Sequence, residues 1–228
     1  MKISSPIISA GSGSLAGLTA SHNRGGLYLR ARAIPTNPNS AGQVTVRNAM
    51  TTLVNRWTGV LTAVQRSAWT VYADNTPVTD SLGAQINLTG QQMYIRSNVS
   101  RIQAGDPIID DAPIIFNLGD FTPPGSVITA ATDLWGINFS AGDAWVSEDG
   151  AFLYAYGSRP QNVTVNYFTG PYRFLGKIAG DSGAPPVPPL TLPTIFAYGL
   201  GNKGFIKYNV ARADGRYSSP IRDSAIAT

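Results

Sequence analysis

TGQQMYIRSNVSRIQAG, residues 89–105, is the stretch that decides the fold of the first half. Thr89 lies three residues before Gln92, which is the capping-box spacing: each side chain satisfies a backbone N–H that the first helical turn leaves without a partner. An apolar stripe at helical intervals follows, and Gly105 stands where a left-handed residue ends a helix. The stripe consists of Ile95, Val99 and Ile102. The stretch therefore predicts one helix with defined ends.

The same spacing occurs twice earlier in the chain, at Ser40 with Gln43 and at Thr62 with Gln65. Apolar residues at helical intervals follow each time, so two further helices are predicted. The first would carry Val46, Met50, Leu53 and Trp57 and end at Gly59, and the second would carry Leu61, Val64, Ala68 and Val71, with Trp69 and Tyr72 widening the face. Residues 77–88 are predicted to form a loop or small hairpin around Gly83.

Toward the N-terminus, residues 15–34 are predicted to form a β-hairpin. Its second strand alternates cleanly between two faces, and residues 22–26 (HNRGG) supply the turn. The polar face of that strand holds Tyr28, Arg30 and Arg32. Residues 1–14 are apolar and rich in Ser and Gly without periodicity, which predicts an extended arm.

Beyond Gly105 the pattern changes to short strands. Residues 106–125 are acidic and interrupted by proline, which predicts an extended linker. Residues 181–193 contain five prolines and are predicted to form a stiff polyproline-like crossing rather than a strand. Strands spaced in this way predict a β-sandwich. The predicted strands are residues 127–131, 136–140, 152–156, 173–178, 194–198 and 205–211.

Charge is divided unevenly along the chain. The first 73 residues contain seven basic side chains and no Asp or Glu. Such a surface suits an acidic partner, either nucleic acid or another protein subunit. Because the chain has thirteen Arg but four Lys, and Arg favours geometrically fixed contacts at protein interfaces, subunit contact is favoured over nucleic acid. The predicted partner-binding residues are Tyr28, Arg30, Arg32, Arg47, Arg56 and Arg66.

Few residues could perform catalysis. The chain has one histidine, one glutamate and no cysteine, so a Cys/His zinc site within one chain is excluded. No P-loop, dinucleotide-binding glycine pattern or Gly-x-Ser-x-Gly elbow is present. We therefore expect a protein that is not an enzyme and has no cofactor.

The acidic linker contains a second candidate cluster. Asp106, Asp110 and Asp111 lack the full calcium-loop pattern, so turn chemistry is favoured over a metal site. The alternative is that this linker meets the basic first half of a neighbouring copy, which would make the charge asymmetry self-complementary.

The second half contains a dense set of aromatic residues. Most of them fit alternating inward positions of a sandwich, so core packing is favoured. The alternative is a carbohydrate platform, as in an adhesin. The set is Trp135, Trp145, Phe152, Tyr154, Tyr156, Tyr167, Phe168, Tyr172 and Phe174.

Residues 208–220, YNVARADGRYSSP, combine an alternating strand, an Asp-Gly turn and a closing Ser and Pro. They resemble the closing hairpin of fibronectin type III and related immunoglobulin-like modules. The resemblance implies that the sandwich is immunoglobulin-like.

The first half resembles uncharacterised structural proteins of tailed bacteriophages. The residues that carry the resemblance are 25–30 (GGLYLR), 35–40 (PTNPNS), 65–73 (QRSAWTVYA) and the helix at 90–105. It implies a virion component that docks on neighbouring capsid, connector or tail subunits and stabilises the particle. The protein is expected to be made in the host cytoplasm, to be located in the virion and to form homo-oligomers. No apolar run reaches 18 residues, so no membrane span is expected.

Together these features predict an α+β protein with an N-terminal arm, a β-hairpin and a three-helix segment, followed by an all-β immunoglobulin-like sandwich. The predicted parts are an arm (1–14), a hairpin with helical docking domain (15–105), a linker (106–125) and a β-sandwich domain (126–228).

Overall fold

The computed structural model describes residues 13–15, 17–23, 26–34, 36–79, 83–119 and 121–228. Contacts divide the chain into two compact units, Met1–Ala41 and Gly42–Thr228. Helices and antiparallel sheets occur together, so the chain is α+β with a β-rich part, as predicted. The predicted domain bounds remain predictions.

The described part of the first unit is a three-stranded antiparallel sheet in the order β1-β2-β3. Its strands are β1 (Gly13–Leu15), β2 (Leu18–Asn23) and β3 (Gly26–Ala31). The pairing of β2 with β3 confirms the predicted hairpin. Strand β1 was not predicted. Residues 1–12 of the predicted arm lie outside the described residues.

Three helices form where the capping pattern predicts them: α1 (Ala41–Gly59), α2 (Ala63–Asn75) and α3 (Gly90–Ala104). Capping boxes are formed in both directions at the starts of α2 and α3. Gly105 ends α3 at φ 76°, the left-handed conformation that glycine adopts without strain. The small hairpin predicted between α2 and α3 is present as β4 (Val78–Thr79) and β5 (Gln85–Ile86).

The buried faces of α1 and α2 differ from the predicted stripes. Val46 and Met50 on α1 are each 41% exposed, and Val64 on α2 is 78% exposed. The predicted apolar stripes therefore do not coincide with the buried faces of these two helices. The residues that are buried are Ala49 and Leu53 on α1, and Trp69, Tyr72 and Ala73 on α2. The aromatic rings of α2 bury more area than its valines, which is why they determine the inward face.

The second half contains seven strands. These are β6 (Gly125–Thr129), β7 (Leu134–Asn138), β8 (Phe152–Gly157), β9 (Arg173–Ala179), β10 (Leu190–Pro193), β11 (Lys203–Ala211) and β12 (Ile221–Ile226). They form a three-stranded sheet in the order β10-β7-β6 and a four-stranded sheet in the order β12-β11-β8-β9. A common core that includes Trp135, Ile137, Leu153 and Ile206 lies between the two sheets, so the predicted sandwich is present.

The proline-rich segment departs from the prediction. Leu190–Pro193 is a strand paired with β7, whereas residues 194–198 are not a strand. Leu190 and Leu192 alternate toward the sandwich core, and β10 lies at a sheet edge, where proline is tolerated because one side of the strand needs no ladder bonds. Strand β12 was not among the predicted strands.

The outer face of the four-stranded sheet is also aromatic. On β8, Leu153 and Ala155 point into the sandwich core, whereas Tyr154 and Tyr156 belong to a separate cluster on the opposite face. Ala104, at the end of α3, packs against that cluster. The expectation that most aromatic residues fill the sandwich core was therefore wrong for β8, because its alternation places them under a helical layer. Among the described residues, no helix has the length and apolarity to cross a membrane.

Candidate functional site

Helix α3 is joined to the four-stranded sheet by hydroxyl groups. The Tyr156 hydroxyl donates to Ser100 Oγ at 2.9 Å, and Ser100 Oγ also lies 2.7 Å from the Tyr217 hydroxyl. Just beyond α3, Asp106 accepts a 2.9 Å hydrogen bond from the Tyr154 hydroxyl and pairs with Lys177. Burial raises the pKa of these three tyrosines, so they remain neutral donors.

One buried arginine, Arg101, and one partly buried arginine, Arg96, complete this contact on α3. Arg101 is 3% exposed, and its Nη2 donates to the carbonyls of Gly150 (3.2 Å) and Arg212 (2.6 Å). Arg96 donates to the Ser218 carbonyl at 3.1 Å. Burial lowers the pKa of both guanidinium groups, since the charged form loses hydration. We call these hydroxyl and guanidinium contacts the α3 seam.

The acidic segment after α3 is used within the chain. Asp110 accepts bidentate hydrogen bonds from Arg56 at 2.7 and 2.6 Å and a third from the Tyr94 hydroxyl at 3.1 Å. The hydrogen bonds from Arg56 lower the pKa of the Asp110 carboxyl. Asp111 accepts a hydrogen bond from Gln65 at 2.8 Å. Asp110 therefore neutralises one arginine of the basic first half, whereas Asp111 meets a neutral amide. The described residues contain no group of three or more candidate metal ligands.

The predicted partner-binding residues fall into two groups. Tyr28, Arg30 and Arg32 lie in the first unit, where both arginines are exposed. Arg47, Arg56 and Arg66 lie on α1 and α2 of the second unit. Arg56 is engaged by Asp110, and Arg66 donates to the carbonyls of Trp57 and Leu61 at 3.2 and 3.0 Å. Two of the six side chains therefore stabilise the helical layer.

Helix α1 presents an apolar surface that the core does not use. Only Ala49 and Leu53 of its 19 residues are buried. Four large apolar side chains remain between 38% and 41% exposed: Val44, Val46, Met50 and Val54. Three of them (Val46, Met50 and Val54) recur at intervals of four and therefore form one continuous strip along the helix. We call these four residues the α1 strip.

At the end of the sheet that α3 does not cover, loop residues and strands enclose a cleft of about 290 Å³, here called the aromatic cleft. The Phe168 and Phe205 rings stack with centroids 5.5 Å apart, and Tyr172 meets Phe168 edge-on at 5.2 Å. Tyr167 is 69% exposed at its rim. The lining residues are Asn166, Tyr167, Phe168, Tyr172, Phe205, Arg222, Asp223 and Ser224.

The lining of the aromatic cleft contains one arginine and one carboxylate. Arg222 lines it, and Lys207, opposite Arg222 in the pairing of β11 with β12, lies over the Tyr172 ring at 5.8 Å. Burial lowers the pKa of Lys207, and the nearby Arg222 charge adds to the effect. The one carboxylate, Asp223, accepts a hydrogen bond from Ser126 on the adjacent strand β6.

A second groove of about 260 Å³ adjoins the aromatic cleft and shares Tyr172 with it. Tyr156, Phe174 and Arg173 line this groove. The sequence pointed to Tyr167, Phe168 and Tyr172 within its aromatic set, but it did not single out Phe205 or Arg222. The alternation of β12, which exposes Arg222 and Ser224 together, was the available signal.

Comparison with known proteins adds little to this geometry. No protein-family model matches the chain. No curated protein matches it at a significant level. A crystal structure of an Fn3-like protein from Clostridium thermocellum is similar at 14% identity and a TM-score of 0.27, over 49% of this chain and 94% of that chain. This similarity is too low to describe the β part, so its description depends on the strand order given above.

Proposed function

We propose that the protein is a non-catalytic structural component of a bacteriophage virion that docks on neighbouring capsid, connector or tail subunits. The observation that carries the docking role is the α1 strip. A long helix with two buried residues and four exposed apolar ones leaves a hydrophobic surface, and such surfaces mark sites of protein contact. The virion setting is supported by the sequence resemblance of the first half.

The energetics of the α1 strip suit an assembly contact. Removing the remaining exposed area of one such side chain from water contributes on the order of 1 kcal/mol. The three side chains in line on α1, Val46, Met50 and Val54, would supply an apolar contact with a neighbouring subunit. The exposed Arg30 and Arg32 of the first unit would supply separate polar contacts to an acidic partner. Self-association of identical copies is part of this proposal.

We further propose that the sandwich belongs to the fibronectin type III class of immunoglobulin-like modules. Three strands in the order β10-β7-β6 face four in the order β12-β11-β8-β9, and β11 pairs with β12 in an antiparallel manner at the end of the chain.

The test replaces Val46 and Met50 together by Glu and follows incorporation into particles by electron microscopy and self-association by light scattering. The charges would be buried without partners in an assembled contact, so both readouts should fall while the monomer's melting temperature is kept. A matched control replaces the exposed Val163 and Val187 of the β part by Glu. Equal assembly of the test and control variants would contradict the docking role of the α1 strip.

A separate variant tests the arginines of the first unit. Replacing Arg30 and Arg32 by Glu reverses two exposed charges and should weaken incorporation into particles without unfolding the monomer. Normal incorporation of this double variant would contradict their docking role.

A further inference from the structure

We propose that the aromatic cleft binds an acidic saccharide, a function distinct from the docking of subunits. The cleft combines an exposed ring, a rigid aromatic wall and unpaired positive charge within one small concave site. Each of these features suits a carboxylated or sulfated sugar.

The aromatic wall is preorganised. Phe168 is held between Phe205 and Tyr172, and the Tyr172 hydroxyl donates to the Phe168 carbonyl at 3.1 Å. These contacts fix the loop that carries Tyr167, whose ring is the most exposed part of the wall. Such a ring offers a flat apolar surface to the C–H face of a pyranose, and fixing it before binding reduces the entropy lost on binding.

The arginine in the cleft lining favours an anionic ligand. Arg222 Nη1 lies 3.5 Å from the Tyr167 hydroxyl and donates to it, so the guanidinium stands beside the exposed ring. Among the described residues, neither Arg222 nor Lys207 takes part in a salt bridge. A carboxylate or sulfate placed in the cleft beside Arg222 would receive charge-assisted hydrogen bonds, and the planar guanidinium matches such groups in a bidentate manner.

The size of the cleft favours a short saccharide over nucleic acid. Its volume of about 290 Å³ is at the lower end of small-molecule sites. A nucleic-acid strand would instead require a long basic groove that follows several phosphates. Asn166 and Ser224 at the rim add polar groups suited to sugar hydroxyls.

The experiment uses the full chain on an array of sialylated, uronate-containing and sulfated oligosaccharides, each printed beside its neutral counterpart. Hits are measured by calorimetry against Tyr167→Ala, Tyr167→Phe and Arg222→Ala. Arg159→Ala, which removes an exposed arginine outside the cleft lining, is the matched control. We expect acidic forms to bind above their neutral forms, with affinity reduced about tenfold or more in Tyr167→Ala and Arg222→Ala. Tyr167→Phe and Arg159→Ala should bind nearly as the wild type does.

Three outcomes would overturn the proposal. The first is an array without acidic hits, and the second is equal binding of acidic and neutral forms. The third is tighter binding of a thymidine oligonucleotide that Tyr167→Ala abolishes, since this would assign the cleft to nucleic acid. The Val46→Glu/Met50→Glu variant should keep its saccharide binding, so failure of this proposal and failure of the docking proposal are distinguishable.

Discussion

Helices α1 and α3 differ in a way that reverses the usual relation between polarity and burial. Helix α3 buries Ser97, Asn98, Ser100 and Arg101, all polar, whereas α1 leaves the α1 strip of Val44, Val46, Met50 and Val54 exposed. The reason is that α3 lies between the helical core and the four-stranded sheet, and both neighbours supply partners for its polar groups. Helix α1 has neighbours on one side and two buried residues.

Asn98, Ser100 and Arg101 Nη2 each have hydrogen-bond partners, whereas Ser97 Oγ and Arg101 Nε have none among the described residues. Asn98 illustrates this: its side-chain amide donates to the carbonyl of Ile109 at 3.0 Å and accepts from the Ile109 N–H at 2.8 Å, as a neighbouring strand would. Buried polar groups with full hydrogen bonding specify one geometry, whereas apolar contacts tolerate several. The comparison therefore indicates that the polar contacts of α3 fix how the helices and the four-stranded sheet pack in the second unit. Helix α1 keeps an apolar surface that this packing does not bury.

The largest expected loss of folding stability follows from replacing Arg101. Replacement by Ala would leave the carbonyls of Gly150 and Arg212 without this donor and should lower the free energy of unfolding by about 3 kcal/mol. Arg101→Met keeps part of the side-chain packing and should cost less. Denaturant titration of both variants, with the exposed Arg159→Ala as control, measures the difference. An Arg101→Ala variant as stable as the control would contradict the claim that the polar contacts of α3 stabilise the second unit.

A smaller effect is expected where α1 is attached to the acidic segment. Asp110→Asn weakens the bidentate contact with Arg56 and should cost about 1 kcal/mol at neutral pH, after allowance for partial exposure.

The effect at Asp110 should also depend on pH. Because the folded-state pKa of Asp110 lies below its unfolded value, the stability it contributes is present above the unfolded pKa and is lost as pH falls through the folded pKa. Thermal unfolding of wild type and variant between pH 7 and pH 2 should therefore converge at the acid end. A constant difference across that range would show that ionisation is not involved.

The smallest effect is expected on α1 itself. Val46→Ser together with Met50→Ser changes side chains that are each 41% exposed, so the free energy of unfolding of the monomer should fall by less than about 1 kcal/mol for each side chain. The matched change on the buried side of the same helix, Leu53→Ser, should cost several times more because it creates a cavity and buries a hydroxyl. Similar losses in the two variants would show that the strip is part of the core.

Local chemistry made the element ends predictable. The capping boxes at Thr62 and Thr89 and the glycine at position 105 each depend on residues within one or two turns, so sequence alone was sufficient. Five of the predicted strands also correspond to observed ones, because alternation is likewise a local property.

The buried faces and the cleft required knowledge of distant partners. Apolar spacing identified possible faces on α1 and α2, but the choice among them depends on which layer packs there. The aromatic cleft joins Tyr167 to Phe205 and Arg222, which strand pairing brings together from separate parts of the chain. The acids at positions 106, 110 and 111 were predicted to lie in a linker and, as one alternative, to meet another copy, whereas they contact Lys177, Arg56 and Gln65 of the same chain.

The α3 seam has a consequence for whether the helices and the sandwich can be exchanged separately between genes. A domain whose outer faces are suited to water can be exchanged between genes as an independent module. Here the outer face carries tyrosine hydroxyls that donate to Ser100 of α3 and to Asp106 just beyond it. The carbonyls of Gly150 and Arg212 accept from Arg101 of α3. A recombination event that transferred the sandwich alone would separate these groups from their partners. Helices and sandwich are therefore expected to pass between genomes as a single cassette.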